Sequence, residues 1–443
     1  MATRISHKVI NRVLFGVTGV TAAGASAWLF RDLADLSQWV VKTDRSEVFS
    51  TFHHRHEIAA TWLASSAANT AVFFRTRCVS LPVWAVLNLG SFAMFFSGYV
   101  NPEIMMRPRN KNAVYVPAEQ ALELLDKEET VIVTQVGDAQ PRAFPDSQVL
   151  RPHAVRAGAT ASGVPVTMTY CGLTNLGIAY ETPNHEDGSQ LELVPLTQLE
   201  NNLVLMDKSS GHVGQQINGI DEDCLRKKLG TSSYRETARR MTDEDLAALS
   251  HTALKEVPTW RMSLGAFANT YPGGEVFIND YKMFKSILKA PVRSLYDSII
   301  DFIFETAIRF QSSNPQPVFP TIENPDTRLP PKEKVWAFNV GDDYVAVTED
   351  FVRRGTDGVR YLTVGGVRVV ASWDGDAESL GVWKLPPGWT RVCGPVDVHG
   401  RIAGQRETDE GGLSLERVET VKAGAYWVVW SNFFPQTRVN PLQ

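Results

Sequence analysis

The chain begins with a strongly apolar region. Residues 13–30 and 78–100 carry no charged side chain, and about 20 apolar residues are enough for a helix to cross the hydrocarbon core of a bilayer. Both stretches are therefore predicted to be transmembrane helices. Gly16, Gly19 and Gly24 in the first stretch suit close helix packing in lipid. A signal peptide is the alternative interpretation of that stretch, although no clear cleavage site follows it.

A third stretch, residues 58–74, is moderately apolar and lies between Glu57 and Arg75. We prefer two spans, which leave the N-terminus and the region after residue 104 on the same side of the membrane. A third span would place them on opposite sides. Lys and Arg residues both precede the first stretch and follow the last, so the distribution of positive charge does not choose between these topologies.

Beyond residue 110 the pattern changes to short alternating runs separated by turns. Residues 131–138 (Val-Ile-Val-Thr-Gln-Val-Gly-Asp) predict a strand that enters a Gly-Asp turn, and residues 335–342 (Val-Trp-Ala-Phe-Asn-Val-Gly-Asp) repeat this pattern. A second pair of matches, residues 163–166 and 366–369, follows in nearly the same register. The repeat predicts a duplicated β-unit of about forty residues, with too few copies for a solenoid.

Two stretches between the copies have helical character. Residues 242–255 open with an N-cap threonine followed by acidic residues, and residues 281–310 carry a wide apolar face divided by Pro291. The second stretch is predicted either to pack on the core, which we prefer, or to lie on the bilayer. A Pro-rich connector follows at residues 314–331, and the aromatic residues 425–434 are predicted to form a closing strand.

These patterns predict an α+β fold, with a predominantly β soluble region behind a membrane module. We divide the chain into a transmembrane module (residues 1–104), a first β-unit with the cysteine motif and the helical insert (105–320), and a second β-unit with the C-terminal strands (321–443). The expected localisation is integral to a membrane, with the lipid bilayer as a partner.

Charge and cysteine usage narrow the function classes. The formal net charge of −5 argues against nucleic-acid binding, because neutralising phosphates requires a basic face. Cys78, Cys171, Cys224 and Cys393 lie far apart, without the paired spacing of a zinc site. A disulfide between Cys224 and Cys393 is left open by the sequence.

Cys171 carries the most informative chemistry. It follows the alternating run of residues 164–169 at the end of a predicted strand, and Gly172 directly after it allows a tight turn. A thiol at a strand end beside a turn can be exposed and held in a fixed direction, as a nucleophile or a metal ligand must be.

Together with the repeat and the connector, the cysteine motif gives the chain a family resemblance. Residues 101–384 resemble the "domain of unknown function 3179" family of bacteria and archaea. The similar blocks, in chain order, are the strand and turn at 131–144, His153, Met168-Thr-Tyr-Cys-Gly-Leu-Thr174, Asn202-Leu-Val-Leu-Met206 through Gly211 to Gln216, Thr259-Trp260, Tyr271-Pro272 and Arg328-Leu-Pro-Pro-Lys-Glu333. Each block is short, and their order makes the set specific.

The sequence departs from the family pattern around the cysteine. This chain has Thr174 at the position of the family's second cysteine, which excludes an intrachain Cys-x-x-Cys dithiol. It has Ala154 at the position of the acid that follows the family's histidine. The membrane module and the helical insert lie outside the usual family core. Some members carry selenocysteine at the motif, so the resemblance implies redox or soft-ligand chemistry centred on Cys171, without an agreed activity.

Three functions remain open at this point. The first is thiol redox chemistry, with Cys171 as the nucleophile and the Thr174 hydroxyl as a hydrogen-bond donor to its thiolate. Without a neighbouring cysteine, a sulfenic acid would be resolved by Cys224, Cys393 or an external thiol.

The second function is a metal site formed by His153, Cys171 and Met206. Imidazole, thiolate and thioether ligands together favour copper. The third is a non-catalytic, membrane-anchored binding or assembly module, with a membrane protein as its partner, in which Cys171 is a small buried apolar residue.

Overall fold

The computed structural model describes residues 7–41, 43, 45–99, 105–219, 253–279, 291–322, 325–403 and 414–441. The chain divides into two compact units. Among the described residues, the first unit contains the N-terminal helices up to Met105 and the second contains both β-units from Met106 onward. Nearly all of the helix predicted at 242–255, the start of the helix predicted at 281–310, and Cys224 lie outside the described residues.

Helices make up the N-terminal unit. They are α1 (His7–Leu33), α2 (Arg45–His53), α3 (Arg55–Thr76) and α4 (Leu81–Tyr99). Asn69 of α3 donates to the backbone carbonyl of Phe15 in α1 at 2.7 Å. Ser26, further along α1, lies 3.0 Å from Ser91 of α4, which accepts from Trp62 of α3 at 2.8 Å. These pairs show that α3 runs antiparallel to α1 along the same length, with α4 beside both.

Two helices, α1 and α4, are long and apolar enough to cross a membrane, a criterion of length and composition alone. Only 28% of the most apolar window of α1 and 11% of that of α4 are buried. A core helix of a soluble protein would hide most of this surface. The apolar side chains exposed on these helices include Val17, Val20, Val86 and Leu89.

The second unit is a mixed α+β arrangement of several small sheets. Its first part contains β1 (Val114–Pro117), α5 (Ala118–Leu124), β2 (Thr130–Thr134), β3 (Arg142–Pro145), α6 (Asp146–Val149), β4 (Ala154–Ala159), β5 (Pro165–Cys171), β6 (Leu176–Glu181), β7 (Leu193–Leu199), β8 (Asn202–Asp207), β9 (Val213–Gln215), β10 (Glu256–Val257), β11 (Thr259–Ser263), α7 (Leu264–Thr270) and β12 (Glu275–Ile278).

After this part comes α8 (Pro291–Ser313), which carries part of the predicted helical insert. The remaining elements are β13 (Lys334–Val340), β14 (Asp343–Thr348), α9 (Glu349–Arg353), β15 (Val359–Val364), β16 (Val367–Asp374), β17 (Ser379–Lys384), β18 (Glu416–Arg417), β19 (Lys422–Tyr426), α10 (Trp427–Phe433) and β20 (Arg438–Val439).

The strand order repeats between the two parts. One sheet of the first part contains the order β12-β3-β2-β11, and the second part has β20-β14-β13-β19. In both, the first strand of this order pairs parallel to the second, and the other pairs are antiparallel. The second sheet, β10-β6-β5-β4, has its counterpart in β18-β17-β16-β15. The duplication thus extends well beyond the forty residues that the sequence match covers.

The cysteine hairpin is part of this repeat. Cys171 pairs with Leu176 across the β5–β6 turn, and Asp374 pairs with Ser379 across the β16–β17 turn. Both turns contain four residues, and the last of them has a positive φ in each case, 55° at Asn175 and 50° at Glu378. Cys171 and Asp374 therefore occupy equivalent positions of the duplicated hairpin.

The predicted closing strand at 425–434 is wrong over most of its length. Strand β19 ends at Tyr426, and Trp427–Phe433 form the buried helix α10. Every residue of α10 is buried, so its sequence has no polar face from which a helical period could be recognised.

Candidate functional site around Cys171

The alternation of β5 decides where Cys171 points. Val166, Met168 and Tyr170 belong to a core cluster that also contains Ile132 and Phe144. Because successive side chains of a strand face opposite sides, Cys171 lies on the other face of the sheet. It is only 2% exposed. The expectation of an exposed thiol at this strand end is wrong.

Helix α8 packs on the turn that follows Cys171. A Cβ atom on Gly172 would lie 2.5 Å from Cδ1 of Ile308, so the turn and the helix are in close contact. Gln311 also donates to the backbone carbonyl of Leu173 at 2.7 Å. The helical insert therefore closes over the cysteine turn.

The structure brings Cys171 and Thr174 together, as predicted. The Thr174 hydroxyl lies 3.5 Å from the Cys171 Sγ and donates to the backbone carbonyl of Asn201 at 2.7 Å. The thiol itself lies 3.9 Å from the same carbonyl. A hydroxyl has only one proton to donate. Since this proton is donated in the shorter bond to Asn201, the hydroxyl is a weak donor to a thiolate at Cys171.

Behind Thr174 is a network of buried side-chain amides. Asn202 donates to the Thr174 hydroxyl at 3.0 Å and to Oε1 of Gln216 at 3.1 Å. Gln215 donates to Oδ1 of Asn202 at 2.9 Å, and Gln216 donates to the hydroxyl of Thr169 at 3.2 Å. The sequence analysis did not identify this network. The pattern that could have indicated it is the pair Gln215-Gln216 after Gly214, together with Asn202 at the start of an apolar strand.

Burial raises the pKa of the Cys171 thiol. The Thr174 hydroxyl and the backbone amides of Thr174, Leu173 and Leu203 act in the opposite direction, because they favour the thiolate, but they do not outweigh burial. Cys171 is therefore a neutral thiol at physiological pH. A nucleophilic cysteine requires the reverse balance.

The second copy holds a carboxylate where the first holds this thiol. Asp374 accepts from the backbone amides of Asp376 and Ala377, both at 3.0 Å, and from that of Val398 at 2.8 Å. Like Cys171, it thus faces amides two and three residues later in its turn, and one amide from a later segment. In both copies this position collects backbone amides at a strand end.

His153 lies next to β4, and its backbone carbonyl accepts from Tyr170 at 2.8 Å. Its φ is 55°, and Gly358, before the equivalent strand β15, has 69°. The ring lies edge-on to Phe304 of α8, with centroids 6.2 Å apart. Burial lowers the pKa of His153 to about 4, against a smaller opposing effect of the Leu150 backbone.

The three proposed metal ligands lie at different places. Met206 is buried in β8, four residues beyond Asn202 and so about 13 Å further along the strand. His153 contacts Phe304, on the core side of the sheet, whereas Cys171 faces the amide network. Within the described ranges, no cluster of three or more His, Cys, Asp or Glu side chains could hold a metal ion.

Cys78 and Cys171 are buried free thiols, and Cys393 is an exposed one. Because Cys393 is a free thiol, it does not form the disulfide with Cys224 that the sequence left open. Cys224 itself lies outside the described residues.

A second polar site, centred on Asp207, was also missed. Its carboxylate accepts from Nε2 of His185 at 2.8 Å and from the hydroxyls of Ser209 and Ser210 at 2.7 and 2.6 Å. Burial alone would raise the pKa of Asp207, but Ser210, Ser209 and the backbone amide of Glu192 outweigh it and lower the pKa to about 2. The sequence signal was Asp-x-Ser-Ser-Gly, typical of a turn organised by its aspartate.

A small, mainly apolar cavity of about 150 Å³ lies beside Asp207, lined by Leu193, Leu205 and Val213 with His185 and His212. Its polar groups already bond within the turn, so the arrangement serves to hold the β8–β9 connection.

A protein-family profile described as "Protein of unknown function (DUF3179)" matches residues 102–437. The chain belongs to the DUF3179 family. The match confirms the resemblance and extends it from residue 384 to residue 437, while helices α1 to α4 lie outside it. Comparison with curated proteins and with solved structures gave no match. The description of the DUF3179 family names no activity.

Proposed function

We propose that this DUF3179 protein is a membrane-anchored binding or assembly module in which Cys171 is a structural thiol. The observation that carries the proposal is the equivalence of Cys171 and Asp374. Both positions use their side chains to gather backbone amides at a duplicated turn. The burial of Cys171 and its raised pKa support the same assignment.

The decisive experiment is oxidation of the purified full chain with hydrogen peroxide, with a dimedone-type reagent present to trap sulfenic acid. A structural thiol predicts no trapped sulfenic acid at Cys171 in the folded protein and ready trapping after unfolding. Cys393, which is exposed, serves as the internal positive control. Rapid trapping at Cys171 in the folded protein would contradict the proposal.

Membrane anchoring is supported by the exposed apolar surface of α1 and α4. We further propose that α3 crosses with them, because its side chains bond to α1 and α4 over the same length, from Asn69 to Trp62. In lipid, such interhelical hydrogen bonds stabilise helix association. Three crossings place the β-units on the opposite side of the membrane from the N-terminus, contrary to our preferred sequence interpretation.

Single cysteines distinguish two spans from three in sealed vesicles treated with a membrane-impermeant maleimide. Val40→Cys lies between α1 and α2, and Ser80→Cys lies between α3 and α4; both parent side chains are exposed. Three spans predict that only one of the two sites reacts in a given vesicle orientation. Reaction of both sites from the same side would show that α3 does not cross the membrane and that the chain has two spans.

Thiol redox chemistry remains the second candidate, because three backbone amides face Sγ and would stabilise a thiolate. It requires an opening that lets an oxidant reach the thiol, since Cys171 is only 2% exposed. The trapping experiment above tests this candidate directly.

The copper proposal with His153, Cys171 and Met206 as ligands requires these side chains to converge. Elemental analysis of the wild type beside Cys171→Ser tests it. About one equivalent of metal lost in the variant would establish the site, and metal-free wild type would remove it.

A further inference from the structure

Ion pairs fix the orientation of helix α8 on the second unit. Arg151, which is buried, contacts the carboxylates of Asp297 at 2.5 Å and Asp301 at 2.9 Å. Arg107 contacts Asp297 as well, at 3.0 Å. Asp297 and Asp301 are themselves buried, so rotating the helix would leave unpaired charges, which is costly.

The opposite face of α8 is apolar and exposed. Its large side chains have between 48% and 69% of their surface exposed: Leu295, Ile299, Phe302, Ile303 and Phe310. At 100° per residue these positions fall within one stripe about 100° wide, which we call the α8 stripe. A helix on a soluble protein normally directs its apolar residues inward. Here the inward face carries the paired acids together with Phe304 and Ile308, which pack on the core, and the stripe is a second apolar face that stays exposed.

We propose that the α8 stripe lies in the interfacial layer of the lipid bilayer. This inference rests on the membrane anchor proposed above. The covalent chain supports it: Arg107, which holds α8, follows the end of α4 at Tyr99 by eight residues, so at most about 28 Å of extended chain separates the two. The helix that exposes the stripe is therefore joined to the proposed anchor by a short covalent segment.

The stripe has the features of a helix that lies on a bilayer. It combines aromatic and aliphatic side chains, and the exposed Arg309 lies at its flank. A basic side chain in this position attracts anionic headgroups. The ion-paired acids on its inward face argue against insertion across the bilayer.

Site-directed spin labelling of the full chain in proteoliposomes containing anionic lipid tests the proposal. The label is placed at Phe302→Cys, and the matched control at Glu305→Cys, one turn along on the flank of the same helix. Cys393→Ser removes the exposed thiol, and Cys224→Ser removes the thiol that lies outside the described residues. The two remaining thiols, Cys78 and Cys171, are buried. Accessibility to oxygen, which concentrates in lipid, is compared with accessibility to a water-soluble nickel chelate.

An interfacial stripe, buried about 5–10 Å into the headgroup boundary, predicts that the oxygen-to-nickel accessibility ratio at position 302 exceeds that at 305 by about tenfold. High nickel accessibility at 302, equal to that at 305, would overturn the proposal. Low accessibility to both reagents would also overturn it and would assign the stripe to a protein partner.

Vesicle flotation of the same samples separates this inference from the anchor. A chain that floats while position 302 stays in water retains the membrane anchor and loses only the docking of α8. A chain that does not float overturns both.

Discussion

The hydroxyl of Thr174 accepts from the side-chain amide of Asn202 at 3.0 Å and donates to the backbone carbonyl of Asn201 at 2.7 Å. Thr174 and Asn202 are both fully buried, so no solvent can replace either bond. The pair connects the turn after Cys171 to the start of β8. In a family whose second motif cysteine would stand at Thr174, this chain has a hydrogen-bonded joint at that position.

Removing the hydroxyl should therefore destabilise the second unit. In Thr174→Val, the amide of Asn202 and the carbonyl of Asn201 each lose a buried partner, and we expect a cost of about 1–3 kcal/mol. Thr174→Ser retains the hydroxyl and should stay within about 1 kcal/mol of the wild type. Thermal unfolding of the detergent-purified protein measures the difference, and equal stability of the two variants would contradict the role of this joint.

Close packing of α1 against α4 gives a second prediction. A Cβ on Gly98 would lie 2.5 Å from the backbone carbonyl carbon and oxygen of Leu29, whereas a Cβ on Gly90 of the same helix meets nothing within 4 Å. Gly98→Ala should therefore separate the helices and lower the stability of the N-terminal unit by about 1–3 kcal/mol. Gly90→Ala, its control, should leave stability unchanged or slightly raised, as alanine favours helix.

Protonation of His153 gives a third prediction. Burial lowers its pKa to about 4 in the folded protein, from 6.5 in the unfolded chain. Between these values the unfolded chain binds more protons, so stability falls as pH is lowered from 6.5 to 4. At 1.36 kcal/mol per pKa unit the loss amounts to roughly 3 kcal/mol.

His153→Asn is the matched variant for this measurement, because asparagine tolerates the positive φ at this position. The unfolding free energies of wild type and variant are compared at several pH values between 4 and 6.5. As pH is lowered from 6.5 to 4, the unfolding free energy of the wild type should fall relative to that of the variant. A constant difference would show that His153 titrates normally in the folded protein.

The sequence predicts the parts of this fold that depend on local patterns. The Gly-Asp turns and the alternating residues of β2 and β13 led to the prediction of a duplication, which the repeated strand order confirms. Trp427–Phe433 was misassigned because a helix buried all round has no polar period. Local patterns carry this much of the fold because turns and alternation are short-range properties.

The state of Cys171 could not be predicted in this way, because it depends on residues far along the chain. Ile308 and Gln311 of α8 cover its turn, and Asn201 and Asn202 bond to Thr174 from another sheet. The α8 stripe was ambiguous for a related reason. An apolar periodicity gives the width of a helix face, but the ion pairs to Arg151 decide which face turns inward.

The most direct test of the account is alkylation of the native full chain, with each cysteine quantified separately by peptide mass spectrometry. The structural assignment predicts that exposed Cys393 reacts first and that Cys171 reacts only on unfolding, at a rate that follows denaturant concentration. The assignment would be contradicted if Cys171 in the folded protein were alkylated as fast as Cys393. A rate at Cys171 that exceeds the rate of an ordinary thiol below neutral pH would identify a reactive thiolate.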